Sequence, residues 1–432
     1  MHVAILGNGV TGVTAALRLR EKRPDWRITL ISGESTHHYS RPALMYVFMG
    51  HMRYQDVKPF EDSFWREKKL DLVRGWVTEV DVAAKTLRFH QGPPITWDKL
   101  LLATGSKPNR FGWPGQDLKG VQGLWGLPDL RELYENARRT RRAVIVGGGL
   151  IGIELGEMLH SRGIRVTFLI RERSYWDNVL PKLESEMVSR HIEELGFGLR
   201  RETELKAIED DGSGRCAAVV TGAGERIECQ LVGLTAGVSP NVDVVRGSAI
   251  PVGRGVLVDW SLRTRVPDVF AAGDCAELVA DPARGQTRNT IQQVWYTGKM
   301  QGEVAGDVLA GEERVYDPGI WFNSAKFLDL EYQTYGSVNM NVPGERNLVW
   351  EHASEKKAVR IVYTEEGVVG FNVMGIRWRH EVCERWLAEK LPVEDVLARL
   401  GEANFDPELG RRHEHEIERS FRRQLAQEEQ VA

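Results

Sequence analysis

The sequence predicts an α/β fold: two nucleotide-binding βαβ units followed by a small α+β C-terminal domain. Three observations predict it. Residues 2–21, HVAILGNGVTGVTAALRLRE, and residues 143–163, AVIVGGGLIGIELGEMLHSRG, echo one another. Each is a β-branched run, then GxGxxG, then apolar residues at helical spacing. Each is followed by a second apolar run, ITLIS at residues 28–32 and VTFLI at residues 166–170, which completes a βαβ unit. After about Asp317 the pattern changes to aromatic-rich alternation and then to two short helical stretches.

The 432 residues suffice for two or three domains, each with its own core. A net charge of -4 argues against a nucleic-acid or acidic-membrane binder. The four cysteines, Cys216, Cys229, Cys275 and Cys383, form no CxxC or metal-like spacing. They read as ordinary buried thiols in a reducing compartment. No apolar run approaches the ~18–20 residues that span a bilayer. Asn8, Gly9, Gly12 and Arg18 interrupt any leader-like run at the start. The expectation is a cytoplasmic protein with neither nucleic-acid nor membrane partners.

The two motifs are physically specific. Gly7 and Gly147 permit the sharp turn out of the strand, and Gly9 and Gly149 let a pyrophosphate approach the backbone. Gly12 and Gly152 let the helix pack closely on the sheet. The first helical residues, Val10 and Thr11 in one unit and Leu150 and Ile151 in the other, offer N–H groups and a positive dipole end to the phosphates. Two such sites suggest two dinucleotides. FAD beside NAD(P)H is the economical pair, because hydride passes directly between them. In the first unit Glu34, just beyond the second strand, is the candidate partner of the adenosine ribose. In the second, Ile170 stands where a carboxylate would favour NADH, and Arg171 and Arg173 follow. Guanidinium groups grip a 2′-phosphate, which tips the reading towards NADPH. Glu172 opposes it, since it could accept from a free 2′-OH.

Further stretches carry a resemblance. KLLLATGSKPN (residues 99–109), TAGVSPN (residues 235–241) and TRVPDVFAAGDCAEL (residues 264–278) match, in order, segments of the pyridine nucleotide–disulfide oxidoreductase superfamily. The resemblance implies a glutathione-reductase-type chain of two Rossmann-like domains. The FAD domain would comprise residues 1–113 and 245–316, the NAD(P)H domain residues 114–244, and the interface domain and tail residues 317–432. Ala103, Thr104, Gly105, Gly237 and Gly273 would line the FAD site, and Asp274 would hydrogen-bond the ribityl chain.

The dithiol branch of that family carries CxxxxC after the first unit, and a single-cysteine branch has its cysteine near Leu44. No cysteine precedes Cys216 here. YSRPAL, with Arg41 and Pro42, and IQQVWYTGKMQGEVAG (residues 291–306) resemble the ferredoxin and rubredoxin reductase branch instead. That branch also includes the flavin part of nitrite reductase and apoptosis-inducing factor. In the resemblance Trp295 packs beside the isoalloxazine, and a helix from near Gln293 points its N-terminus at the ring. Several members pair a Lys with the Glu of GxxGxE near the flavin. That Glu is Glu154, but the Lys position is Tyr46. Arg41 could supply the nearby positive charge, or form a surface salt bridge. The expected activity is hydride transfer from NAD(P)H to FAD, then electron transfer to a small iron–sulfur protein. An electron-input subunit of a larger reductase and a redox-responsive interaction protein are the alternatives. The resemblance further implies a C-terminal domain that covers the flavin and often builds a homodimer. In the tail, Ile417, Phe421 and Leu425 fall on one helical face. His413 and His415 alternate with glutamates and read as a solvated charge run rather than a metal site.

Overall fold

The computed structural model describes residues 1–340, 343–406 and 408–431. It divides into two compact units, Met1–Thr140 with Gly233–Pro318, and Arg141–Val232 with Gly319–Ala432. The sequence reading drew its segments at 113/114 and 244/245, whereas the units divide at 140/141 and 232/233. Helix Leu127–Ala137 falls in the first unit, where Glu34 accepts the Leu127 N–H at 2.6 Å. Among the described residues no helix is long and apolar enough to cross a membrane.

The first unit is built on a five-stranded parallel sheet. Its order is Val269–Ala271, Lys99–Leu102, His2–Leu6, Arg27–Ser32, Leu70–Arg74. The inner strands are short apolar runs and almost wholly buried, as strands covered on both faces must be. From central His2–Leu6 the chain goes to one neighbour, Arg27–Ser32, and later returns to the other, Lys99–Leu102. That reversal opens a crevice beyond the carboxyl ends of the strands.

Helix Val10–Lys22 packs against helix Trp295–Leu309. Gly298, Gly302 and Gly306 recur every fourth residue and share one face of the second helix. A Cβ on Gly302 would stand 2.6 Å from the Thr11 carbonyl oxygen, and one on Gly306 2.7 Å from the Arg18 Cβ. Arg18 reaches across to the buried Asp307 carboxylate at 2.6 Å, which Arg314 also holds. The sequence reading began this helix near Gln293. It begins at Trp295, because Val294 is extended (φ −129°, ψ 144°). A ribbon of Ser106–Pro108 with Val238–Pro240 ties the two chain segments of the unit together.

The second unit repeats the βαβ pattern. Strands Gly198–Arg200, Arg165–Leu169 and Arg142–Val146 are parallel neighbours, and helix Leu150–His160 follows the glycine turn. Gly156 brings that helix down on the sheet, since a Cβ there would meet Phe168 Cζ at 2.5 Å. The C-terminal segment forms a five-stranded antiparallel sheet, Phe322–Phe327, Leu330–Gly336, Gly367–Met374, Ala358–Thr364, Arg346–Glu351. Helices His380–Ala388, Val393–Ala398 and Glu414–Val431 pack on its apolar side. Ile417 and Phe421 are buried in that core and Leu425 packs at its edge, so the tail stripe docks on this sheet.

His413, His352 and Glu416 come close enough to surround a cation. Each of the three already accepts a hydrogen bond. His413 Nε2 accepts from Lys357 Nζ at 2.9 Å, and His352 Nδ1 accepts the Ser354 and Glu355 N–H groups. Glu416 accepts the Trp350 indole N–H at 3.3 Å. An imidazole that accepts a backbone N–H carries its proton on the other nitrogen, the reverse of a metal ligand's arrangement. These bonds tie the start of helix Glu414–Val431 to the C-terminal sheet, and His413, 6% exposed, is buried rather than part of a solvated charge run.

Candidate functional site

In each unit the glycine motif builds an open cradle at a helix N-terminus. Gly7 and Gly147 turn sharply, with φ of 121° and 122°. A Cβ on Gly7 would overlap the Ala103 carbonyl oxygen at 2.0 Å, and one on Gly12 the Gly7 carbonyl oxygen at 2.0 Å. Those positions are closed by protein. A Cβ on Gly9 or Gly149 would meet nothing within 4 Å. Each of these two glycines is the N-cap of its helix, with no side-chain cap and no acidic residue in the first turn. The first-turn N–H groups, from Val10 and Thr11 and from Leu150 and Ile151, therefore form an uncapped positive dipole end beside that open space. That is where a pyrophosphate fits. Gly152 is buried within its helix.

The first unit gathers most of the residues singled out from sequence. Gly273 (φ 76°) turns so closely past Thr11 that a Cβ would lie 2.4 Å from its Oγ1. The Gly273 N–H donates to buried Gln301 at 2.7 Å. Asp274 follows, and its carboxyl is pushed up by burial, partly offset by a hydrogen bond from Ser106. Ser106 Oγ donates to Asp274 at 2.9 Å and accepts from Gln293 Nε2 at 2.7 Å. Thr104 Oγ1 donates to the Asn241 carbonyl at 2.6 Å, and the Asn241 N–H returns to Gly105 at 2.8 Å. Gly237 (φ 87°) accepts the Asn109 N–H at 3.0 Å. Sequence reasoning missed Ser106, and it read Gln293 only as a helix start. Their link to Asp274 joins residues 168 and 187 positions apart, which no local pattern can carry.

Glu34 and Arg41 meet each other. Glu34 Oε1 accepts from the Tyr39 hydroxyl and the Leu127 N–H, and Oε2 accepts from Arg41 Nη2 at 2.9 Å. Burial alone would raise this carboxyl, but the Arg41 charge and these hydrogen bonds outweigh it and hold it below its ordinary value. One oxygen is saturated, and the other keeps room for one more donor. Arg41 also donates to the Trp125 carbonyl at 2.6 Å, and its guanidinium lies over the Tyr39 and Trp125 rings, 5.4 and 5.6 Å from their centroids. Its charge is committed to Glu34. Pro42 starts the short turn Arg41–Ala43. Tyr46, at the Lys position, stacks on His51 at 6.2 Å. Trp295 is 46% exposed at the first turn of its helix and meets Tyr296 edge-on. That helix N-terminus has neither a side-chain cap nor an acidic residue in its first turn.

In the second unit Tyr175 fixes the cradle by donating to the Gly149 carbonyl at 3.0 Å. A Cβ on Gly148 would lie 3.6 Å from Glu172 Oε2, so that carboxylate stands beside the glycine turn. Arg171 points outward, 76% exposed, and donates to Glu172 at 3.1 Å. Arg173 is also exposed. Glu154 makes no hydrogen bond or ion pair among the described residues. Burial, with the nearby Glu157 charge, pushes its carboxyl up to about 7. All four cysteines are free and buried. Burial lifts the Cys216 and Cys229 thiols to about 11 and 12, and raises Cys275 and Cys383 as well.

The family model described as pyridine nucleotide-disulphide oxidoreductase matches residues 1–302. The chain is 30% identical, over 72% of its length and 75% of the relative's, to the biphenyl dioxygenase system ferredoxin–NAD(+) reductase component of Paraburkholderia xenovorans. It is 31% identical, over 76% of its length and 74% of the relative's, to the CoA-dependent NAD(P)H sulfur oxidoreductase of Pyrococcus abyssi. A ferredoxin reductase structure from Rhodopseudomonas palustris superposes with a TM-score of 0.78 at 22% identity, covering 87% of this chain and 91% of that one. This last likeness shows the fold.

Proposed function

Because the chain belongs to the pyridine nucleotide-disulphide oxidoreductase family, we propose that this FAD-dependent NAD(P)H oxidoreductase reduces a small iron–sulfur protein such as a ferredoxin or rubredoxin. A flavin held here would supply the chemistry that links two-electron donors to one-electron acceptors. One observation carries the choice of acceptor. Every cysteine is buried, and burial keeps each thiol protonated. With no thiolate of this chain placed to relay electrons, the reading is an acceptor served directly by the flavin.

The chain's own residues prepare the site. Gly7, Gly9 and Gly12 with the N–H groups from Val10 and Thr11 would hold the FAD pyrophosphate, as Gly147, Gly149 and Gly152 with Leu150 and Ile151 would hold that of NAD(P)H. Asp274, kept in place by Ser106 and Gln293, would accept a hydroxyl of the ribityl chain. The uncapped N-terminus of helix Trp295–Leu309 would favour negative charge at a group placed before it. Arg171 and Arg173 are exposed and able to meet a 2′-phosphate, which favours NADPH, with Glu172 opposing.

Anaerobic NAD(P)H oxidation tests the reading. Turnover should be supported by a ferredoxin or rubredoxin and not by a coenzyme A persulfide. Persulfide-dependent turnover with inert iron–sulfur proteins would replace this reading with a sulfur-reductase one, the activity named for the Pyrococcus relative.

A further inference from the structure

Trp76 lies between strands Leu70–Arg74 and Val77–Asp81, and it is 66% exposed. Its indole is seated on backbone. A Cβ on Gly33 would meet Trp76 Cε3 at 2.4 Å and Cζ3 at 3.1 Å, so only glycine leaves room for the ring. The segment carrying the indole is fixed. The Gly75 N–H donates to the Ser32 carbonyl at 3.0 Å, and the Trp76 carbonyl accepts the His90 N–H at 2.9 Å. The Cε3 edge of the ring therefore rests on Gly33, while much of the indole is open. Gly33 follows strand Arg27–Ser32 directly. In a dinucleotide-binding βαβ unit, the carboxyl end of this second strand is where the adenosine lies. The carboxylate at this end, Glu34, has spent one oxygen on Tyr39 and Leu127 and shares the other with Arg41. A flat π-surface is the other means of holding a purine.

We propose that Trp76 is the stacking platform for the adenine of FAD, a positioning residue for the cofactor, on the reading that the first unit binds FAD. Gly33, having no Cβ, leaves room for the Cε3 edge of the indole.

The test is to strip the purified protein of flavin and titrate it separately with FAD and with FMN, which lacks the adenosine. The parent, Trp76→Ala and Trp76→Phe are compared, with the melting temperature of each flavin-free form. Parent uptake of FAD is read first, and its absence would bring down the flavin reading itself. Given uptake, Trp76→Ala should bind FAD roughly 5- to 150-fold more weakly, the usual range for losing one base stack. Trp76→Phe should keep most of the affinity, and the flavin-free melting temperature should stay at the parent's. FMN binding should be the same in all three, whether measurable or not. Unchanged FAD affinity in Trp76→Ala would overturn the proposal. Equal loss of FAD and FMN, or a lowered melting temperature in the flavin-free form, would reassign Trp76 to structure.

Discussion

Glu172 lies beside the second glycine turn and Arg171 swings outward from it, so the two residues set opposite charges at the mouth of one cradle. Replacing Glu172 by Gln removes a carboxylate that repels a 2′-phosphate and frees Arg171. The kcat/KM ratio of NADPH over NADH should rise about tenfold, the effect of about 1.4 kcal/mol; steady-state kinetics with both nucleotides reads it. Glu154 gives a prediction in pH. A carboxyl raised from 4.5 to about 7 is protonated in the folded chain while the unfolded chain has lost its proton. Its contribution to stability is therefore full below about 4.5 and is lost as pH climbs through about 7. At 1.36 kcal/mol per pH unit this is at most about 3 kcal/mol. Glu154→Gln should thus gain on the parent between pH 5 and pH 8 in urea unfolding, and a pH-independent difference would refute the raised carboxyl. Glu154 and Glu34 were both visible in the sequence as positions in a motif. Their charge states were not, because these depend on burial and on partners such as Tyr39 and Leu127.

The contact between helices Val10–Lys22 and Trp295–Leu309 rests on backbone approaching backbone. Alanine normally improves a helix over glycine by about 1 kcal/mol. At Gly302 the added Cβ would stand 2.6 Å from the Thr11 carbonyl, so the helices must part. Gly302→Ala should lose about 1–3 kcal/mol of stability, the usual cost of overpacking, and loosen the Gly273 turn that Gln301 holds. Thermal unfolding checks the first, and flavin release on dilution the second. Local pattern was enough to read both βαβ units, because a period of 3.6 after a GxGxxG turn is a local signal. It was also enough to mark the change after about Asp317, where the alternating stretch became strands of the C-terminal sheet. Strand Arg346–Glu351 escaped it, since its charged ends mask the short apolar centre.

The grouping of the C-terminal sheet with the second nucleotide-binding segment was not legible in the sequence. It rests on contacts such as Arg360 with Glu184, at 2.8 Å and 176 residues apart. Glu184 is 1% exposed and also accepts from Asn372. Arg360→Ala would strand that charge and should cost about 3–5 kcal/mol, seen as a lower urea midpoint. In the sequence the proposed acceptor rests only on the cysteine missing from residues 40–50, since docking to a small protein leaves no motif. Anaerobic double-mixing stopped flow tests that central claim most directly. The flavoprotein is mixed with NADPH or NADH, aged, and then mixed with an oxidised ferredoxin or rubredoxin. The flavin band should bleach on the first mix, and on the second it should return as the iron–sulfur protein is reduced by one electron per cluster. A flavin that bleaches but stays reduced in front of every iron–sulfur protein, while a coenzyme A persulfide reoxidises it, would contradict the account.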